Sequence, residues 1–188
     1  MTRGRGDNGS SPSSTSARAQ SKGTPSLIVR QHINVDPRRR SSADFAIVAR
    51  LDADGDEAAW EQLLARQLSS ELFKICCIPF FVYGLSLGDV VRAPLDEKRR
   101  YVITEIVEKS GHRTLRVSLR RNALDKHERA RLRGVLLESV NAAQGGIEFF
   151  SGTLLGIDAP TDQSYEAICN ELKQRERAGE LEYEEGDA

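Results

Sequence analysis

The 188 residues, 39% hydrophobic and 29% charged, suffice for one domain or two small ones, with a polar excess that points to a disordered stretch. No apolar run approaches the roughly 18 residues of a membrane-spanning helix, and the opening MTRGRGDNGSSPSS lacks the apolar segment of a secretory signal. The net charge of −1 conceals a gradient: residues 1–43 hold eight Lys/Arg against two Asp/Glu, residues 158–188 hold three against ten, and the middle balances.

Residues 1–43 are expected to form a disordered basic tail. Their Ser-, Gly- and Arg-rich start buries too little apolar area to offset about 1–2 kcal/mol of backbone entropy per ordered residue. A short strand fits within Ser26–Asp36, ended by Pro37 and the Arg38–Arg40 run. From Asp44 the texture changes. Phe45–Leu51 (FAIVARL) predicts a strand and Asp52–Glu57 a turn. Trp60, Leu63, Leu64 and Leu68 recur at helical spacing, so pattern alone predicts a helix over 58–68. Leu72–Val82 is apolar but contains Pro79, which suits an edge strand, a bend or a bulge. A turn at Gly88-Asp89 precedes a strand to Ala93, and Tyr101–Val107 supplies another. Residues 44–110 thus read as a small antiparallel β-sheet or barrel.

The rhythm shifts after Gly111. Thr114–Leu119 alternates as a strand, Asp125 caps a helix running to Ala143, and Gly145-Gly146 stops it. Two short strands follow, Ile147–Phe150 and Leu154–Asp158, then a helix over Asp162–Arg177 and a last strand, Leu181–Glu185. This β-α-β-β-α-β order predicts a ferredoxin-like domain over 111–188, and the expected class is α+β.

Several motifs imitate active sites. Gly84-Leu85-Ser86-Leu87-Gly88 spells G-x-S-x-G, but Asp89–Arg92 continue as a strand where the hydrolase elbow needs a helix. Asp52, Asp54 and Asp56 stand where a calcium loop has ligands, yet Glu57 and Leu63 occupy the glycine and glutamate positions. Cys76, Cys77 and Cys169 are too few and too apolar in context for a disulfide framework or a zinc site. The candidate binding residues are Asp89 in the Gly88-Asp89 turn, His112 and Arg113 at the junction of the two halves, and Glu180, Glu182, Glu184 and Glu185 at the acidic end. Glu105 and Glu108 are the nearby carboxylates considered as partners for His112. No catalytic residue, metal ligand or cofactor is expected.

In this order, IPFFVYGLSLGDVVRA (78–93), EIVEKSGHRTLRV (105–117) and GELEYEEG (179–186) resemble a bacterial family of small stand-alone proteins known only as a domain of unknown function. The resemblance spans about 44–186 and implies a bacterial, cytoplasmic setting. It reads Trp60–Ala65 as extended, against the helical spacing, and it carries over no functional residue.

Taken together, these features predict a non-catalytic module that docks on a protein partner. Its most concrete form is an immunity-type inhibitor whose acidic end covers a basic toxin. The alternatives are nucleic-acid binding through the basic tail and the Arg113–Arg133 cluster, and a hydrolase using Ser86 or His112.

Overall fold

The computed structural model describes residues 27–28, 42–51, 59–120 and 122–186. Most of the basic tail, His32, the Asp52–Asp56 loop, Arg121 and Asp187 lie outside the described residues. No described helix is long and apolar enough to cross a membrane.

The first sheet contains β1 (Leu27–Ile28), β2 (Phe45–Leu51), β3 (Ala59–Gln67), β4 (Leu72–Ile75), β5 (Val90–Arg92) and β6 (Glu105–Glu108). From β2 to β6 successive strands pair antiparallel, and β1 lies parallel to β3. The free edge of β2 is bonded in turn to the lead-in of β6. Val48 N donates to Tyr101 O at 2.8 Å, and Ile103 N donates to Val48 O at 2.9 Å. The sheet therefore rolls back on itself around Ile47, Leu63, Phe73, Ile75, Leu85 and Val91. Phe45, Phe73 and Tyr101 stack against one another with ring centroids 4.8–5.5 Å apart.

The helix that apolar spacing predicts over 58–68 is instead strand β3. Its inward positions are 61, 63 and 65, a period of two, and Glu61 occupies the first of them with no exposed surface. A carboxylate at a core position hides the alternation. Leu64 and Leu68, which completed the helical count, are partly and half exposed.

The second sheet is built from β7 (Arg113–Leu119), β8 (Gly146–Phe149), β9 (Leu154–Ala159) and β10 (Leu181–Glu185), antiparallel throughout in the order β10-β7-β9-β8. Helix α1 (Lys126–Ala142) connects β7 to β8, and α2 (Asp162–Arg177) connects β9 to β10. Asp125 and Glu128 form a reciprocal capping box at 2.8 and 2.7 Å that starts α1. Thr161 caps α2. Leu132, Leu136 and Val140 of α1 and Ile168, Cys169 and Leu172 of α2 pack on Leu115, Val117, Leu119, Leu155 and Ile157 of the sheet.

Among the described residues, no helix covers the opposite face of this sheet. There the 76–89 segment, between β4 and β5, carries Ile78 and Phe80 onto it. Gly156 of β9 admits them: a Cβ at that position would stand 2.9 Å from Ile78 Cγ2 and 3.3 Å from the Phe80 ring. Gly156→Ala is expected to lower stability by about 1–3 kcal/mol through overpacking, measured by urea unfolding.

Candidate functional site

A stretch of irregular backbone buried between two sheets needs acceptors for its N–H groups. Buried carboxylates supply them. Glu61 accepts the N–H of Phe80 at 2.8 Å through Oε1, and those of Phe81 and Val82 at 2.8 and 2.7 Å through Oε2. Glu148 of β8 accepts Ile78 N–H at 3.2 Å. Asp89, fully buried, accepts Ser86 N–H at 3.0 Å and Ser110 N–H at 2.7 Å, and Lys109 Nζ lies 3.3 Å away. The buried Arg116 returns a guanidinium N–H to Val82 O. The segment is thus tied to both sheets and to the 109–112 junction.

Two clefts flank it. In the first, of about 290 Å³, Arg66, Lys74, Cys76, Leu87, Gly88 and His112 contribute to the walls. Nδ1 of His112 sits 2.7 Å from Oδ1 of the buried Asp158. An ionised carboxylate only accepts, so this contact places an N–H on Nδ1 and fixes the ring. An Asp-held imidazole is half of a hydrolase triad, but the nearby hydroxyls serve the turn. Ser86 Oγ accepts from Thr114 and is buried, while Ser110 Oγ lies 2.7 Å from Leu87 O and 3.0 Å from Asp89 Oδ1. The G-x-S-x-G sequence is a turn with Gly84 and Gly88 at φ of +69° and +86°, followed by β5.

The second cleft, of about 400 Å³, lies where the segment meets the β10 edge, among Phe80, Phe81, Tyr83, Arg116, Glu182 and Glu184. Phe81 and Phe150 meet edge to face at 5.1 Å, and the Arg116 guanidinium lies 4.1 Å over the Tyr83 ring. Tyr83 OH donates to Glu184 at 2.8 Å. That hydrogen bond, with burial and the carboxylate's charge behind it, raises the Tyr83 pKa above its ordinary value, against a smaller opposing pull from Arg116.

The residues singled out from sequence thus fall in different places. Asp89 is a buried anchor, inaccessible to a partner. His112 lines the basic cleft, paired with Asp158 instead of Glu105 or Glu108. Those two carboxylates lie on β6, where Glu105 pairs with Arg92 at 2.7 Å. Arg113 bonds Asp162 at 3.1 Å and covers the Tyr165 ring at 4.4 Å. Strand alternation divides the acidic end. Glu182 and Glu184, opposite Ser118 and Arg116, face the aromatic cleft, whereas Glu185 bonds Tyr165 and Glu180 bonds Arg175 at 2.9 Å. The Arg113–Arg133 cluster is likewise dispersed: Arg116 is buried, Arg120 pairs with Glu182 at 2.8 Å, and Arg133 stacks on Phe149. Asp158 was missed, although a lone carboxylate inside the apolar strand LLGIDA is itself a signal of a buried partner. Among the described residues, no three His, Cys, Asp or Glu side chains are grouped as metal ligands.

Two sheets, antiparallel apart from β1, one of them backed by two helices, make this an α+β protein. The chain belongs to the family described as a domain of unknown function (DUF4265), which matches residues 61–183. It is similar to a hypothetical protein from Neisseria gonorrhoeae of known crystal structure, at 21% identity and a TM-score of 0.62, with 75% of this chain and 92% of that one covered. That likeness extends to the fold alone. No curated protein matches the chain.

Two outcomes follow from this geometry. Glu61→Gln replaces an acceptor by a donor facing buried N–H groups, and a loss of about 2–4 kcal/mol is expected in urea unfolding. For Tyr83, a raised folded pKa means that its contribution to stability is complete below the ordinary value of 10.0 and is lost as pH rises through the folded value. Glu184→Gln is expected to bring the Tyr83 phenol back towards its ordinary value, followed by NMR of the tyrosine ring during alkaline titration.

Proposed function

We propose that this chain is a non-catalytic binding module that docks on a basic protein partner through the β10 edge and its aromatic cleft. The observation that carries this reading is that Glu182, Glu184 and the half-exposed Tyr83 ring line one cleft of about 400 Å³, with Glu184 bonded to the Tyr83 hydroxyl. An arginine or lysine fits such a place, its aliphatic stem on the ring and its charged head on the carboxylates. Both carboxylates are more than half exposed where they pair with Arg120 and Arg116. The Glu182–Arg120 pair, exposed on both sides, is worth about 0–1 kcal/mol, so a partner's cation displaces it at little cost, while Glu184 stays on the buried Arg116 and adds its exposed charge. As an edge strand, β10 also offers backbone groups for strand addition.

On this reading the second half is a ferredoxin-like domain, supported by its strand order of last-first-third-second. The chain would serve as an immunity-type inhibitor in a bacterial cytoplasm, covering the site of a basic toxin. Affinity capture from the native host tests it with wild type and an E182K/E184K variant. The expected result is one stoichiometric basic protein held by wild type and lost by the variant. Equal retention by both removes the β10 face from the reading, and nucleic acid recovered only with residues 1–43 present replaces it.

A further inference from the structure

The other cleft is chemically opposite. Arg66 and Lys74 stand directly across from one another on β3 and β4, so their side chains share one face of the sheet. Both are exposed, and neither has an ion pair among the described residues. Like charges in a directly opposed cross-strand pair destabilise a sheet unless something negative lies between them. The Lys74 stem runs along Gly88, with its Cε 3.8 Å from where a Cβ of Gly88 would stand. Gly88 holds φ at +86°, and the Ser110 side chain packs where its Cβ would stand, with Ser110 Cβ 3.0 Å from that position. On another wall stands His112, its ring fixed by Asp158 at 2.7 Å.

We propose that the cleft of Arg66, Lys74, Gly88 and His112 binds a small oxyanion, the phosphate or carboxylate group of a low-molecular-weight ligand. The volume of about 290 Å³ accommodates such a group with a few further atoms. Two cations from adjacent strands line it on one face of the sheet. The nearby carboxylates have other partners: Asp89 binds the turn from beneath, Asp158 holds the imidazole, Asp44 accepts the N–H of Gln67 at 2.9 Å, and Glu71 lies 3.9 Å from Arg92. Arginine supplies a planar fork and lysine a point charge, a combination suited to a tetrahedral or planar oxyanion. This site is separate from the β10 face and stands or falls independently of it.

Titration of the full chain with inorganic phosphate, and in a second arm with succinate, tests the proposal by NMR of the Leu87 and Gly88 amides and the His112 ring. Saturable shifts at these positions are expected, with the stronger arm identifying the headgroup. Arg66→Gln and Lys74→Gln should each weaken binding at least fivefold, and the double variant should abolish it. Because both side chains point outward and repel each other, the double variant should melt no lower than wild type, which separates lost binding from lost folding. Absence of saturable shifts in both arms, or binding unchanged in the double variant, overturns the proposal.

Discussion

One carboxylate makes the rest of the arrangement possible. Glu61 sits with no exposed surface on β3 and gathers three consecutive backbone N–H groups, from Phe80 to Val82, at 2.7–2.8 Å. An irregular segment cannot satisfy its own backbone as a helix does, and burial without acceptors costs about 1–3 kcal/mol for each stranded group. Glu61 offsets that cost from the rolled sheet, while Glu148 and Arg116 do so from the second sheet. The 76–89 segment can therefore be the layer that both sheets share. Both clefts lie along its borders.

The same carboxylate explains where sequence reading succeeds and where it fails. Helices α1 and α2 were legible because apolar positions recur at helical spacing and polar caps mark their starts, Asp125 with Glu128 and Thr161. Strand β10 was legible to the residue, bounded by Gly179 and Gly186. Strand β3 was not, because its period-two core contains Glu61 and its outer face carries Leu64 and Leu68. The apolar run over 72–82 ended as a strand at Ile75. From there Pro79 and the three donors to Glu61 impose a path that no strand ladder could share.

Site geometry was less legible than elements for a related reason. The partner of His112 comes from 46 positions away, brought in by the β7–β9 pairing that sets Thr114 opposite Asp158. The acidic end looked uniform as a string. A strand puts alternate residues on opposite faces, so Glu182 and Glu184 meet the cleft while Glu185 turns towards α2. Spacing along one segment contains that alternation. It does not contain which sheet the segment joins.

The four most deeply buried carboxylates, Glu61, Asp89, Glu148 and Asp158, would draw attention as acid–base candidates in any pocket search. Their hydrogen bonds assign them to architecture. Three hold the backbone of an inserted segment, and the fourth orients one imidazole. A layer made of loop instead of helix demands such groups whatever the protein does, so their burial argues for no reaction. The side chains left over from this structural accounting stand at the rims: Tyr83, Glu182 and Glu184 on one side, Arg66 and Lys74 on the other. Those rims carry opposite charge, and the 76–89 segment links them.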